Sequence, residues 1–156
     1  MAGGVMFQPR PASGKWNTTG TTMEQREIKF EAWDGHGSMF VQVIDRVTDH
    51  GIVFVLREDI DKDPHEQTWY PFSYVMADNS WVKRQFTGLR DKNGREIYQG
   101  DILRGEYEAS HSGVYQNTVE WVQEDAAFSL ANSPLWAWDW LEVIGNVFEN
   151  PELMNQ

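Results

Sequence analysis

Ile28-Lys29-Phe30-Glu31-Ala32-Trp33 alternates apolar with mostly charged side chains, and Asp34-Gly35-His36-Gly37 follows it directly. Alternation with period 2 puts Ile28, Phe30 and Ala32 on one face, the pattern of a half-buried strand. Asp and Gly in the next four residues supply a turn. Met39 to Val47 is again apolar and β-branched, Thr48-Asp49-His50-Gly51 turns, and Ile52-Val53-Phe54-Val55-Leu56 is a continuous apolar run. Five residues suit a buried strand, and the β-branched content favours strand over helix.

The same rhythm continues to the C-terminus. Glu58 to Glu66 reads as an acidic loop, and Pro71 keeps Trp69-Tyr70-Pro71-Phe72 away from the centre of a sheet. A short helical turn fits Ser73 to Ala77. Trp81 to Thr87 is a strand, and Asn93-Gly94 predicts a tight hairpin because both residues accept positive φ. Val114 to Val122, Ala127 to Leu130 and Leu141 to Val147 add further strands, with a break at Asn132-Ser133-Pro134. Asn150-Pro151-Glu152 reads as a cap and first helical turn. No 3.6-residue period is sustained. Short strands with turns between them predict an all-β, mainly antiparallel fold. The expected division is an extended or flexible arm over 1–22, an N-terminal β subdomain over 23–80, and a C-terminal SH3-like small barrel over 81–156.

Composition narrows the function classes. The chain has 156 residues and no cysteine, so disulfides and thiolate metal sites are excluded. No apolar run approaches the roughly 20 residues that span a bilayer, and the N-terminus lacks an apolar signal core. A cytoplasmic protein with no membrane contact is expected. The formal charge is −11, from 24 acidic and 13 basic side chains. Residues 1–22 hold Arg10, Lys15 and no acid, so the acidity belongs to the body. An acidic body repels phosphate backbones. Nucleic acid is therefore a poor partner, and a basic protein surface is a better one.

Two long motifs and a shorter opening one carry a resemblance. The block Gln85-Phe86-Thr87-Gly88-Leu89-Arg90-Asp91-Lys92-Asn93-Gly94-Arg95-Glu96-Ile97-Tyr98-Gln99-Gly100-Asp101-Ile102-Leu103 is one. The tail Leu141-Glu142-Val143-Ile144-Gly145-Asn146-Val147-Phe148-Glu149-Asn150-Pro151-Glu152-Leu153 is another, and Arg26 to Asp34 opens the set. Together they resemble the YopX family of phage and prophage proteins. The resemblance implies a β-rich fold, a bacterial-host cytoplasm, self-assembly, and no established enzymatic activity or catalytic residues to carry over. In that family the opening motif lies near the initiator, which marks Met23 as an alternative start and residues 1–22 as an extension.

Residue chemistry points the same way. His36, His50, His65 and His111 show no metal-site spacing. Asp59-Ile60-Asp61-Lys62-Asp63 begins like a calcium loop, then places Pro64 where Gly is needed and Tyr70 where Glu is needed. Ser110-His111-Ser112 reads as loop, and no nucleophile elbow or phosphate-binding glycine loop occurs. No catalytic residue, metal ligand or cofactor is expected. Lys83, Arg84, Arg90, Lys92 and Arg95, with Trp81, Phe86 and Tyr98 near them, form a candidate nucleic-acid patch. The alternative, hairpin charges that keep an edge soluble, is favoured. Trp136, Trp138 and Trp140 would share one face of an ideal strand, as core or as a protein interface. The expectation is a non-enzymatic accessory protein acting by protein–protein contact and self-association. Its alternatives are an acidic counter-defence protein that blocks a host nucleic-acid-binding protein, and a nucleic-acid-binding module.

Overall fold

The computed structural model describes residues 27–107 and 113–155. The arm over 1–22, Met23 and the Ser110-His111-Ser112 loop lie outside the described residues. The chain divides into two compact units, Lys29–Phe86 and the part from Thr87 onward. Each is built of antiparallel strands, as the alternation predicts.

The first unit contains β1 (Phe30–Trp33), β2 (Met39–Asp45), β3 (Gly51–Leu56), β4 (Trp69–Pro71) and a six-residue helix α1 (Phe72–Ala77). It closes with the start of β5 (Val82–Arg90), which runs on into the second unit. The sheet order is β4-β3-β2-β1-β5. Pro71 therefore sits on an edge strand, where its missing N–H costs no ladder bond. The β1–β2 turn is tied by Asp34, whose Oδ1 accepts the His36 and Ser38 amides at 2.7 and 3.0 Å. Asp45 does the same for β2–β3, accepting the Val47 and Thr48 amides. Ala32, Phe40, Phe54, Val75 and Trp81 form the buried cluster of this unit. Full burial of a side chain like Phe54 is worth about 1.5–3 kcal/mol. Phe40 meets Trp81 edge-on at 5.1 Å and Tyr70 at 5.5 Å.

The second unit holds the end of β5, then β6 (Glu96–Tyr98), β7 (Asp101–Tyr107), β8 (Val114–Val122), β9 (Ala127–Leu130), β10 (Ser133–Pro134) and β11 (Trp138–Asn146). Five of these form a sheet in the order β10-β9-β8-β7-β11, and β6 pairs with β5. Ile97, Leu103, Val119, Leu130, Leu135, Trp138, Leu141 and Val143 make its core. The SH3-like form stays an expectation, since β10 and β11 are the two ends of that strand order.

Leu130 pairs with Ser133 across a two-residue turn, and Ala131 and Asn132 both take positive φ, 50° and 66°. That is the type I′ signature. The β5–β6 turn departs from the expectation drawn from Asn93-Gly94. Only Gly94 takes positive φ there, at 83°. Asp91 does the rest: its Oδ1 accepts the Asn93 and Arg95 amides, both at 2.9 Å.

Asp91 also reaches β11. Its Oδ2 accepts the Val143 amide at 2.9 Å, and the Lys92 amide donates to the Leu141 carbonyl at 2.9 Å. β11 pairs with β7 along its other side. The turn thus occupies backbone groups that would otherwise stand open along a sheet edge.

Candidate functional site: an aromatic groove

Trp121 on β8 and Phe128 on β9 are direct cross-strand partners, with rings edge-to-face at 5.1 Å. The hairpin between them turns through Gln123 to Ala126, where Ala126 takes a φ of 48°. After β10, Pro134 leads into a 3-10 turn, Leu135–Ala137, that buries Leu135 and leaves Trp136 61% exposed. Between these features lies an open groove of about 250 Å³. Trp121, Phe128 and Trp136 line it with Thr87, Leu89 and Leu135, and Ala126 and Ala127 complete it. Trp121 is 44% exposed and its indole N–H donates to Gln123 Oε1.

Thr87, a polar side chain among the described lining residues, is already engaged. The Thr87 hydroxyl donates to the Ile97 carbonyl at 2.8 Å and accepts the Leu89 amide at 3.2 Å. Among the described residues, no charged side chain lines the groove. The described lining can bury apolar and ring surface, and holds no carboxylate, imidazole or amine.

The expected stripe of three tryptophans does not form. Trp136 stands in the 3-10 turn, ahead of β11. Trp138 pairs with Tyr107 and Trp140 with Glu106, so a bulge at Asp139 breaks the alternation. Residues 106 and 107 face opposite sides of their strand, and the two tryptophans follow them. Trp138 is buried against Tyr107, at 5.3 Å between rings. Trp140 is half-buried, donates to Glu106 Oε2 at 3.0 Å, and lies under Lys92 Nζ at 4.5 Å. Only Trp136 joins the groove. In the sequence, only the equal distance of Trp121 and Phe128 from the Glu124-Asp125 turn marks them as a facing pair.

The five basic residues are not one patch within either unit. Lys83 and Arg84 belong to the first unit, and Arg90, Lys92 and Arg95 to the second. Arg84 is 4% exposed and grips Glu31 Oε1 through Nε at 3.1 Å and Nη2 at 2.7 Å. Lys83 Nζ donates to the Asp78 carbonyl. Arg90 holds Glu96 Oε2 at 3.2 Å and the Gly94 carbonyl. Lys92 and Arg95 are exposed.

Asp59, the first residue of the calcium-like run, is buried and spoken for. It pairs with Lys62 at 2.7 Å and accepts the Thr68 amide at 2.7 Å. The Lys62 ammonium, and then that amide, hold its carboxyl below the usual carboxylate range. His50 Nδ1 lies 3.2 Å from Asp45 Oδ2, Thr48 Oγ1 contacts both, and the imidazole stacks on Trp69 at 4.1 Å. Hydroxyl and carboxylate converge on the same ring nitrogen, which ties the turn together instead of forming a relay. Among the described residues, no three His, Cys, Asp or Glu side chains gather as a metal site. No described helix is long and apolar enough to cross a membrane.

The family model described as YopX protein matches residues 29–155. The chain belongs to the YopX family. No curated protein matches it. Among solved structures, it is similar to protein EF1440 from Enterococcus faecalis, at 26% identity over 82% of this chain and 98% of that one, with a TM-score of 0.48. It is also similar to protein yopX from Bacillus subtilis, at 19% identity over 80% and 96%, with a TM-score of 0.39. Within this YopX chain, the two long motifs touch. Asp91 and Lys92 of the first bind Val143 and Leu141 of the second, and Gly100 accepts the Val147 amide at 3.0 Å. Those residues lock a turn to a strand, and the aromatic groove draws only Thr87 and Leu89 from them.

Proposed function

We propose that this chain is a non-catalytic phage or prophage accessory protein of the host cytoplasm that works by protein–protein contact, with the aromatic groove as the contact surface. The observation that carries the reading is the pair of exposed indoles, Trp121 and Trp136, walling an apolar groove. Large exposed aromatics beside an apolar floor are the composition of an interaction hot spot. The test is affinity capture from the natural host with the wild-type chain and with a Trp121→Ser/Trp136→Ser variant. A partner held by the first and lost by the second supports the reading. A partner held equally by both overturns it.

Self-association is a separate part of the proposal, assigned to the other unit. Ile44 and Ile52 are direct cross-strand partners, 58% and 46% exposed. Light scattering across micromolar concentrations is expected to show a mass above the monomer, reduced by Ile44→Asp. A monomer at every concentration removes this part.

Acidic counter-defence is the second reading. No Lys or Arg follows Arg104, while nine acidic residues do. Such an acidic, base-free stretch suits a partner that normally binds phosphates. Displacement of DNA from a captured host protein supports it; unchanged DNA binding sinks it.

A further inference from the structure

We propose that the groove takes an extended, proline-containing segment of a partner protein that carries Arg or Lys beside its prolines. This inference rests on the interface reading above and names the chemistry of the occupant.

Shape and lining come first. Trp121, Phe128 and Trp136 stand over a floor that includes Leu89 and the buried Leu135. Aromatic-walled grooves of this kind hold proline rings, because a polyproline segment is already extended and loses little entropy on docking. A volume of about 250 Å³ that is open to solvent suits rings and short aliphatic chains laid along a surface. A polar metabolite would find the Thr87 hydroxyl already engaged and no charged group among the described lining residues to orient it.

Charge decides what accompanies the prolines. Six of the eight described lining residues come from the base-free part of the chain after Arg104. Glu124 and Asp125 are exposed in the turn that leads into the lining residue Ala126, and they make that rim of the groove acidic. A nucleobase could stack on the indoles, but its phosphates would meet that acidic rim. A guanidinium is attracted by the rim and also stacks on indole faces. Aromatic walls and an acidic rim therefore select a cationic polypeptide.

The experiment uses the full chain and three synthetic peptides of equal length, repeats of Pro-Pro-Arg, Pro-Pro-Glu and Gly-Ser-Arg. Binding is read by calorimetry and by tryptophan fluorescence. The Pro-Pro-Arg peptide is expected to bind, with affinity falling as salt rises. Trp136→Ser is expected to weaken it by at least about tenfold. Glu124→Lys/Asp125→Lys is expected to weaken it and flatten the salt dependence. All these positions are exposed, and circular dichroism confirms that the variants fold. Equal binding of Pro-Pro-Glu or of Gly-Ser-Arg, no binding of Pro-Pro-Arg, or indifference to Trp136→Ser overturns the proposal. If host capture depends on Trp121 and Trp136 while no peptide binds, the interface reading stands and this inference falls. If Pro-Pro-Arg binds through Trp136 while capture is indifferent to the tryptophans, the inference stands and the interface reading falls.

Discussion

Asp91 shows how much one side chain can organise. It is 7% exposed and accepts three backbone amides, from Asn93, Arg95 and Val143. Asp91→Ala orphans all three, and each buried donor left unsatisfied costs about 1–3 kcal/mol. Relaxation and water will recover part of that. The expected loss is on the order of 2–4 kcal/mol by urea unfolding, with Asp91→Asn in between because its remaining oxygen still accepts. A loss below about 0.5 kcal/mol for the alanine variant would refute this account. Ala131 offers the opposite sign. It holds a φ of 50°, a conformation that costs a residue with a Cβ about 1 kcal/mol. Ala131→Gly should therefore raise the thermal midpoint, and a lowered midpoint would show that the turn is not strained there. Asn93-Gly94 announced a turn in the sequence. The role of Asp91 did not show, because its third partner lies fifty-two residues away.

Among the elements, β11 was placed nearly correctly by its apolar residues, while its faces were misjudged. Period-2 reasoning assumes an unbroken ladder, and the bulge at Asp139 sends Trp138 and Trp140 to opposite sides. No local residue signals that bulge. It reflects the fit of β11 against β7, where Gly105 allows a close approach. A Cβ at Gly105 would stand 2.7 Å from both the Trp140 carbonyl oxygen and Leu141 Cδ2. Gly105→Ala should cost about 1–3 kcal/mol through overpacking, measured by chemical denaturation; a neutral result would mean that the strands can part at no cost. Hydrogen exchange tests the turn against β11. The amides of Lys92 and Val143 should exchange as slowly as those of the paired strands, and Val143 should become fast in Asp91→Ala. Fast exchange at both amides in the wild type would contradict the docking.

At the scale of the whole molecule, the all-β class was legible because alternation and turn residues agree over most of the chain. The groove was not, since it joins residues from β5, the β8–β9 hairpin and the 3-10 turn. Acidity was plain from composition, and its consequence for stability runs through specific carboxylates. Asp59 and Glu142 are held low chiefly by Lys62 and Arg104, and Asp45, Asp63 and Asp78 chiefly by nearby backbone amides. A carboxyl whose folded value is depressed adds stability above its unfolded value, and that contribution is lost as pH falls through the folded one. The melting temperature should be level from neutral pH to about pH 5 and fall below about pH 4. High salt is the right condition, because it screens the general repulsion that protonation would also relieve. A midpoint that rises steadily below pH 4 would contradict these assignments.

The turn seated on β11 also bears on what a population of chains does when crowded. A nine-residue strand with its outer amides and carbonyls bare is a template on which another chain can add, and then another. Asp91 and Lys92 work as a stopper at that position. The same carboxylate that fixes a hairpin thus also makes this one edge a poorer template for fibril growth, a hazard visible only when many copies are considered together.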